Sequence, residues 1–190
     1  MNTVQTTMTT TALFSDDKSK RYLLHKVWDE KKPSLAILML APSEAAGIEL
    51  DSTTLLVLNN ASRLGFGSVR ILNLFATLND ASLKEAEDED PDNMKAIIAA
   101  AKEADTIVYA PGVGKAANKA FQQRQKQVLE ALAPYEKKLH CLCDANKSSR
   151  FQHPLSPAVR TWYLSPMKIR ELTAAAKKEK GAEKDAAARK

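Results

Sequence analysis

The sequence predicts an α/β fold: a three-layer α/β/α sandwich around a mostly parallel sheet of four to five strands. Three observations predict it. A continuous apolar run at residues 35–40 and mainly apolar segments at 69–74 and 106–110 have the make-up of buried strands. Segments with helical spacing separate them. Strand and helix in repeated alternation is the pattern of right-handed βαβ crossovers. A chain of 190 residues that is 44% hydrophobic is large enough for one domain with a core. We divide it into a disordered N-terminal tail at 1–18, a single α/β domain at 19–172 and a basic C-terminal tail at 173–190.

Each element has a local signal. Residues 1–18 are polar and rich in threonine. Arg21 to Trp28 alternates, with Tyr22, Leu24, Lys26 and Trp28 on one side, as in an edge or antiparallel strand. Pro33 precedes the first buried run, Leu35 to Leu40. Asp51-Ser52-Thr53 offers an N-cap, after which Leu55, Leu56, Leu58, Ala61 and Leu64 follow helical spacing, and Gly65 stands at a C′ position. Val69 to Leu74 is the next strand. An acidic segment at 85–92 ends on Pro91, a suitable first helical residue. Met94, Ile97, Ile98 and Ala101 then mark a helix over 92–103. Thr106 to Ala110 is a strand, and Pro111-Gly112-Val113-Gly114 a turn. Ala117, Phe121, Val128 and Leu132 mark a helix over 115–133. Lys138 to Cys143 is a further strand, and Leu164 to Leu172 reads as a last helix. The sequence has no internal repeat.

Charge and composition exclude several functions. The net charge is +5, of which the 173–190 tail supplies +3, so the body is nearly neutral. Tight binding to duplex DNA ordinarily needs a basic face. No apolar run approaches the roughly 18 residues that span a bilayer, and the N-terminus lacks the basic and apolar stretches of a signal peptide. We therefore expect a cytoplasmic protein with no membrane partner. Cys141 and Cys143 alternate onto one face of their strand as buried thiols, without the second ligand pair of a zinc site. We expect no metal and no cofactor. Gly112-Val113-Gly114-Lys115 lacks the glycine spacing and the hydroxyl of a phosphate-binding P-loop.

Three segments carry the chemistry: Met39-Leu40-Ala41-Pro42-Ser43, Asn73-Leu74-Phe75-Ala76 and His153-Pro154-Leu155-Ser156-Pro157. Each is read at the C-terminal end of a strand, and in a parallel sheet those ends share one crevice-forming edge. Pro42 fixes the turn, which leaves Ser43, Glu44 and neighbouring N–H groups to meet a ligand. Asn73 has one acceptor and two donors and needs partners when buried. Phe75 is a candidate stacking platform, and Phe66 an alternative to it. Gly112, in the turn after the strand at 106–110, is a further candidate ligand contact. His153, stiffened by Pro154, is a candidate general acid or oxyanion donor. His25 and His140 fall inside strands and read as structural or exposed.

Arg21-Tyr22, Trp28-Asp29, Met-Leu-Ala-Pro-Ser, Gly65-Phe66-Gly67, Asn-Leu-Phe-Ala, Asp90-Pro91 and His-Pro-Leu, in that order over 21–157, resemble a family of uncharacterised bacterial and phage proteins, domain of unknown function 1643. That resemblance implies no activity. The order of the strand-end segments is also similar to that of the uracil-DNA glycosylase superfamily. This second resemblance implies a glycosylase-like fold, with Asn73 as reader of a base edge and His153 as stabiliser of the departing base. Ala41 departs from the pattern, because that superfamily has Asp or Asn before the proline to position the attacking water. Glu44 or Asp51 is a possible substitute. Leu155, between Pro154 and Ser156, also departs from the superfamily's His-Pro-Ser.

Two functions stay open. One is a glycosylase-like protein, degenerate or altered, that recognises a nucleobase, nucleotide or DNA; whether it is an enzyme is undecided. The other is a non-catalytic interaction or regulatory protein that meets a protein partner through the acidic 85–92 segment.

Overall fold

In a computed structural model the chain forms one seven-stranded mixed sheet in the order β1-β2-β4-β3-β5-β6-β7, and residues 1–78, 90–112, 118–148 and 150–171 are described. The strands are β1 (Thr9–Phe14), β2 (Arg21–Val27), β3 (Ser34–Met39), β4 (Ser68–Asn73), β5 (Thr106–Tyr109), β6 (Leu139–Cys143) and β7 (Tyr163–Pro166). The helices are α1 (Ser52–Arg63), α2 (Pro91–Glu103) and α3 (Lys119–Leu132). Four central strands, β4, β3, β5 and β6, run parallel. β1 and β2 extend the sheet antiparallel on one side and β7 on the other.

The α/β class and the parallel core thus match the sequence reading, while the sheet is larger and more mixed than four to five mostly parallel strands. Two misread segments account for this. Thr9–Phe14 lies within the predicted disordered tail, yet it pairs with β2 from Thr9↔Val27 to Leu13↔Leu23. Polar threonines gave no apolar alternation to detect, although β-branched residues favour strands. Leu164 to Leu172 has helical spacing in the sequence, but Tyr163–Pro166 pairs with β6, and only residues 169–171 of the described chain are helical there. Pro166 ends that strand.

Two cores lie on opposite faces of the sheet. α1 covers one with Val57 and Ala61 against Leu35, Ile37, Val69, Ile71, Val108 and Trp162. α2 and α3 cover the other with Ile97, Ala100, Phe121, Val128 and Leu132 against Leu38, Leu72, Leu74 and Tyr109. The buried faces are rotated from the predicted stripes. In α1 the buried residues are Thr54, Val57, Asn60 and Ala61, while Leu55 is exposed. In α2 they are Asn93, Ile97, Ala100 and Ala101, while Ile98 is exposed. Polar side chains take inward positions there because they bond to backbone: Asn60 Nδ2 reaches Arg160 O at 3.1 Å, and its Oδ1 accepts from Trp162 N at 2.9 Å.

The ends follow the sequence closely. Asp51 caps α1 by accepting from Thr54 N at 2.6 Å, and Gly65 takes the left-handed φ of +87° after it. Asp90 caps α2 ahead of Pro91, and Asn118 caps α3. Gly67 is fixed by crowding, since a Cβ there would stand 1.8 Å from Asp29 O. Among the described residues no helix is long and apolar enough to cross a membrane. Cys141 and Cys143 are buried free thiols. Residues 85–89 of the acidic segment, the predicted helix start at 115–117 and the basic tail at 173–190 lie outside the described residues.

Candidate functional site

The exits of β3, β4 and β5 lie side by side because those strands are parallel and in register, with Met39 beside Asn73 and Leu38 beside Tyr109. Backbone bonds carry the register past the strand ends: Leu74 N donates to Met39 O at 2.8 Å, Phe75 N to Leu40 O at 3.0 Å and Ala110 N to Leu38 O at 2.8 Å. The sheet therefore presents 40–43, 73–76 and 110–112 along one edge.

The β3 exit is held by charge. Arg21, at the start of β2, is 2% exposed. Its Nη1 donates to Ser43 O at 3.1 Å and to Ala45 O at 2.5 Å. Lys26 is 0% exposed, and its Nζ donates to Gly47 O at 2.8 Å and Thr10 Oγ1 at 2.9 Å. Ser43 Oγ donates to Asp51 Oδ2, so the loop is tied to the cap of α1. Burial alone would raise the Asp51 carboxyl; the hydrogen bonds from Ser43 and Thr54 and the nearby Arg21 charge outweigh it and hold it below the usual carboxylate value. Burial lowers the Arg21 guanidinium, and Asp51 opposes that shift. Pro42 is buried, and Glu44 is exposed at the rim.

The β4 exit is built differently. Asn73 is 1% exposed and, by alternation with Ile71, sits on the α1 face. Neither its Oδ1 nor its Nδ2 has a hydrogen-bond partner. Its backbone, in contrast, is clamped from the other face. Asn93 Nδ2 donates to Asn73 O at 3.2 Å and Leu74 O at 3.1 Å, and Arg124 Nε donates to Leu74 O at 2.8 Å. Phe75 belongs to the α2 and α3 core, and Phe66 to the α1 core. Both rings are buried among packing residues.

The His153 segment does not end a strand, since β6 stops at Cys143, but its loop folds back against the β5 exit. Gly112 has φ +84°, and a Cβ on it would stand 3.1 Å from His153 Cβ, so only glycine lets the 151–157 loop close onto the sheet edge. His153 Nδ1 accepts from Leu155 N at 3.2 Å, which leaves Nε2 to carry the proton of the neutral ring. Burial lowers the His153 imidazole, and the Asp51 charge partly offsets that. Ser156 N donates to His153 O at 2.8 Å and Ser156 Oγ to Gln152 Oε1 at 2.7 Å, closing a tight turn.

Of the predicted residues, the structure brings Gly112 against His153 and Ser43 against Asp51. Asn73 has its backbone at the same edge, but its amide makes no hydrogen bond to His153 or to any other group. Sequence reasoning gave no role to Arg21, Lys26, Asn93 or Arg124. The two cations interrupt an otherwise strand-like segment, which was the available signal. Asn93 and Arg124 look like ordinary polar helix positions. From the acidic segment, Asp90 caps α2 and pairs with Lys20 at 2.9 Å, and Asp92 pairs with Lys95 at 2.8 Å.

Residues 21–155 match the model of a family described as protein of unknown function (DUF1643), a span that runs from the Arg21 clamp to the His153 turn and leaves β1 and β7 outside. No curated protein matches the chain, and no solved structure matches it. On the family match over most of its length, the chain belongs to the DUF1643 family.

Proposed function

We propose that the edge formed by the exits of β3, β4 and β5 recognises a nucleobase-like heterocycle, free or within a nucleotide or nucleic acid, and that it binds without breaking the glycosidic bond. The observation that carries this reading is the Asn73 amide, almost fully buried with both polar atoms unpaired. Leaving such a group unpaired costs on the order of 1–3 kcal/mol. Both atoms are closed to solvent in this structure, so the strand exits must part to admit a base edge, whose acceptor beside a donor would then supply both missing partners at once. The resemblance of the strand-end segments to the uracil-DNA glycosylase superfamily supports the same assignment. His153, neutral with its proton on Nε2, is suited to donate to a carbonyl of the ligand.

Two features favour binding over base excision. Ala41 has no group to orient a water. Asp51, the nearest replacement, already accepts from Ser43 and Thr54. An excising enzyme needs a positioned water as well as a stabilised leaving group.

Titration calorimetry with uracil, hypoxanthine, guanine, their nucleosides and a short single-stranded DNA tests the reading. We expect at least one to bind, and Asn73→Ala to weaken it about tenfold or more, the equivalent of one lost two-point contact. Binding by none, or equal binding by Asn73→Ala, would refute it. Release of free base by the natural protein would restore the excision reading.

A further inference from the structure

The two edges of the sheet are built differently. β7 has four residues and includes Pro166, which has no N–H to offer. Arg150 lies over it, with Nη2 donating to Pro166 O at 2.9 Å and paired to Glu171 at 3.1 Å. β1 has six residues, Thr-Thr-Thr-Ala-Leu-Phe, with no charge and no proline. Its only irregularity is a register shift at Leu13/Phe14, which leaves Thr9 to Leu13 in unbroken register with β2. Natural edge strands are usually blunted by charge, proline, a bulge or brevity, because an open edge pairs with other chains. β1 also leaves apolar surface in water, with Leu13 50% and Met8 44% exposed.

We propose that β1 pairs antiparallel with β1 of a second copy of this chain, about a two-fold axis at Thr11. In that register Thr11 faces its own copy, Thr9 faces Leu13, Thr10 faces Ala12 and Met8 faces Phe14 of the other chain. Both exposed apolar side chains gain a partner, and they gain it twice by symmetry. Charge does not oppose the match: Thr3 to Ser15 is uncharged, and Asp16 would face Thr6. A self-complementary, charge-free strand selects its own copy over an acidic or basic peptide. The new edge is also joined to the candidate site, because Thr10 Oγ1 accepts from Lys26, which holds Gly47 O. The pairing itself does not depend on any ligand. One six-residue strand pair buries less than the roughly 1,200 Å² of a standard interface, so the dimer is weak and concentration-dependent.

Sedimentation equilibrium of the full chain tests this over about 1–500 µM, the range in which so small an interface would assemble. The expected result is a mass that rises from one chain towards two. Thr11 is exposed, so Thr11→Lys leaves the fold intact, as an unchanged melting temperature would verify. It brings two ammonium groups face to face at the axis and is expected to weaken the dimer at least tenfold. Thr11→Glu is expected to do the same, and an equimolar mixture of the two variants to restore a heterodimer. A chain that stays monomeric throughout, a dimer that survives Thr11→Lys, or a mixture that fails to associate would each overturn the proposal.

Discussion

The exits of β3 and β4 are neighbours joined through Met39 and Asn73, yet they treat buried polarity in opposite ways. At the β3 exit, buried charges are spent mainly on the loop itself: Arg21 and Lys26 hold three of its carbonyls, with only Arg21 Nε unpaired, and Asp51 holds Ser43 and the start of α1. At the β4 exit the backbone is clamped just as firmly by Asn93 and Arg124, but the Asn73 amide is left with nothing to bond. The contrast separates two uses of a buried polar group. One stabilises a loop and is part of the fold. The other weakens the fold unless a further molecule supplies its partners, and that is where we place recognition.

The comparison breaks first at Arg21. Arg21→Met removes the donor to two carbonyls and leaves Asp51 without its buried counter-charge, a change expected to cost about 3 kcal/mol or more. Urea unfolding measures it, and a loss below about 1 kcal/mol would show that the β3 exit does not rely on charge. Asp51→Ala is expected to cost less, about 1–2 kcal/mol, for the lost cap of α1 and the freed Ser43 hydroxyl. The same denaturation series checks the order of the two.

A smaller, pH-dependent effect sharpens the account of His153. Burial lowers its imidazole below the usual 6.5, with Asp51 opposing. The folded state therefore favours the neutral ring. Its contribution to stability is complete above about pH 6.5 and is lost as the pH falls through the depressed value. His153→Gln should flatten part of the decline in melting temperature between neutral and mildly acidic pH. His25, which burial and Arg70 also lower, keeps the rest of the slope. An unchanged slope would mean that the ring is solvated.

The legible parts of this fold were those written in apolar runs and end signals. Leu35 to Leu40, Val69 to Leu74 and Thr106 to Ala110 gave the parallel centre, and Asp51, Gly65 and Pro91 gave helix ends within a residue or two. β1 was invisible because Thr9 to Thr11 put polar side chains on both faces, and its partner β2 is remote in pattern though near in sequence. The helix faces were misjudged where Asn60, Asn93 and Arg124 point inward. Their burial depends on carbonyls of distant segments, such as Leu74 for Arg124, which no local window contains. At the candidate site, Asn73 and the meeting of Gly112 with His153 follow from strand ends and a turn. The Arg21 and Lys26 clamp does not, because a basic residue in a strand reads as a solvated one until tertiary structure supplies its acceptors.

Recognition at this edge requires that the Asn73 amide be a cost to the folded chain. The most direct measurement is the unfolding free energy of Asn73→Leu, a near-isosteric replacement that removes both unpaired polar atoms. We predict a protein as stable as the natural one or up to about 2 kcal/mol more stable. A loss of about 2 kcal/mol or more would show that the amide already has its partners within the fold, and would contradict the account.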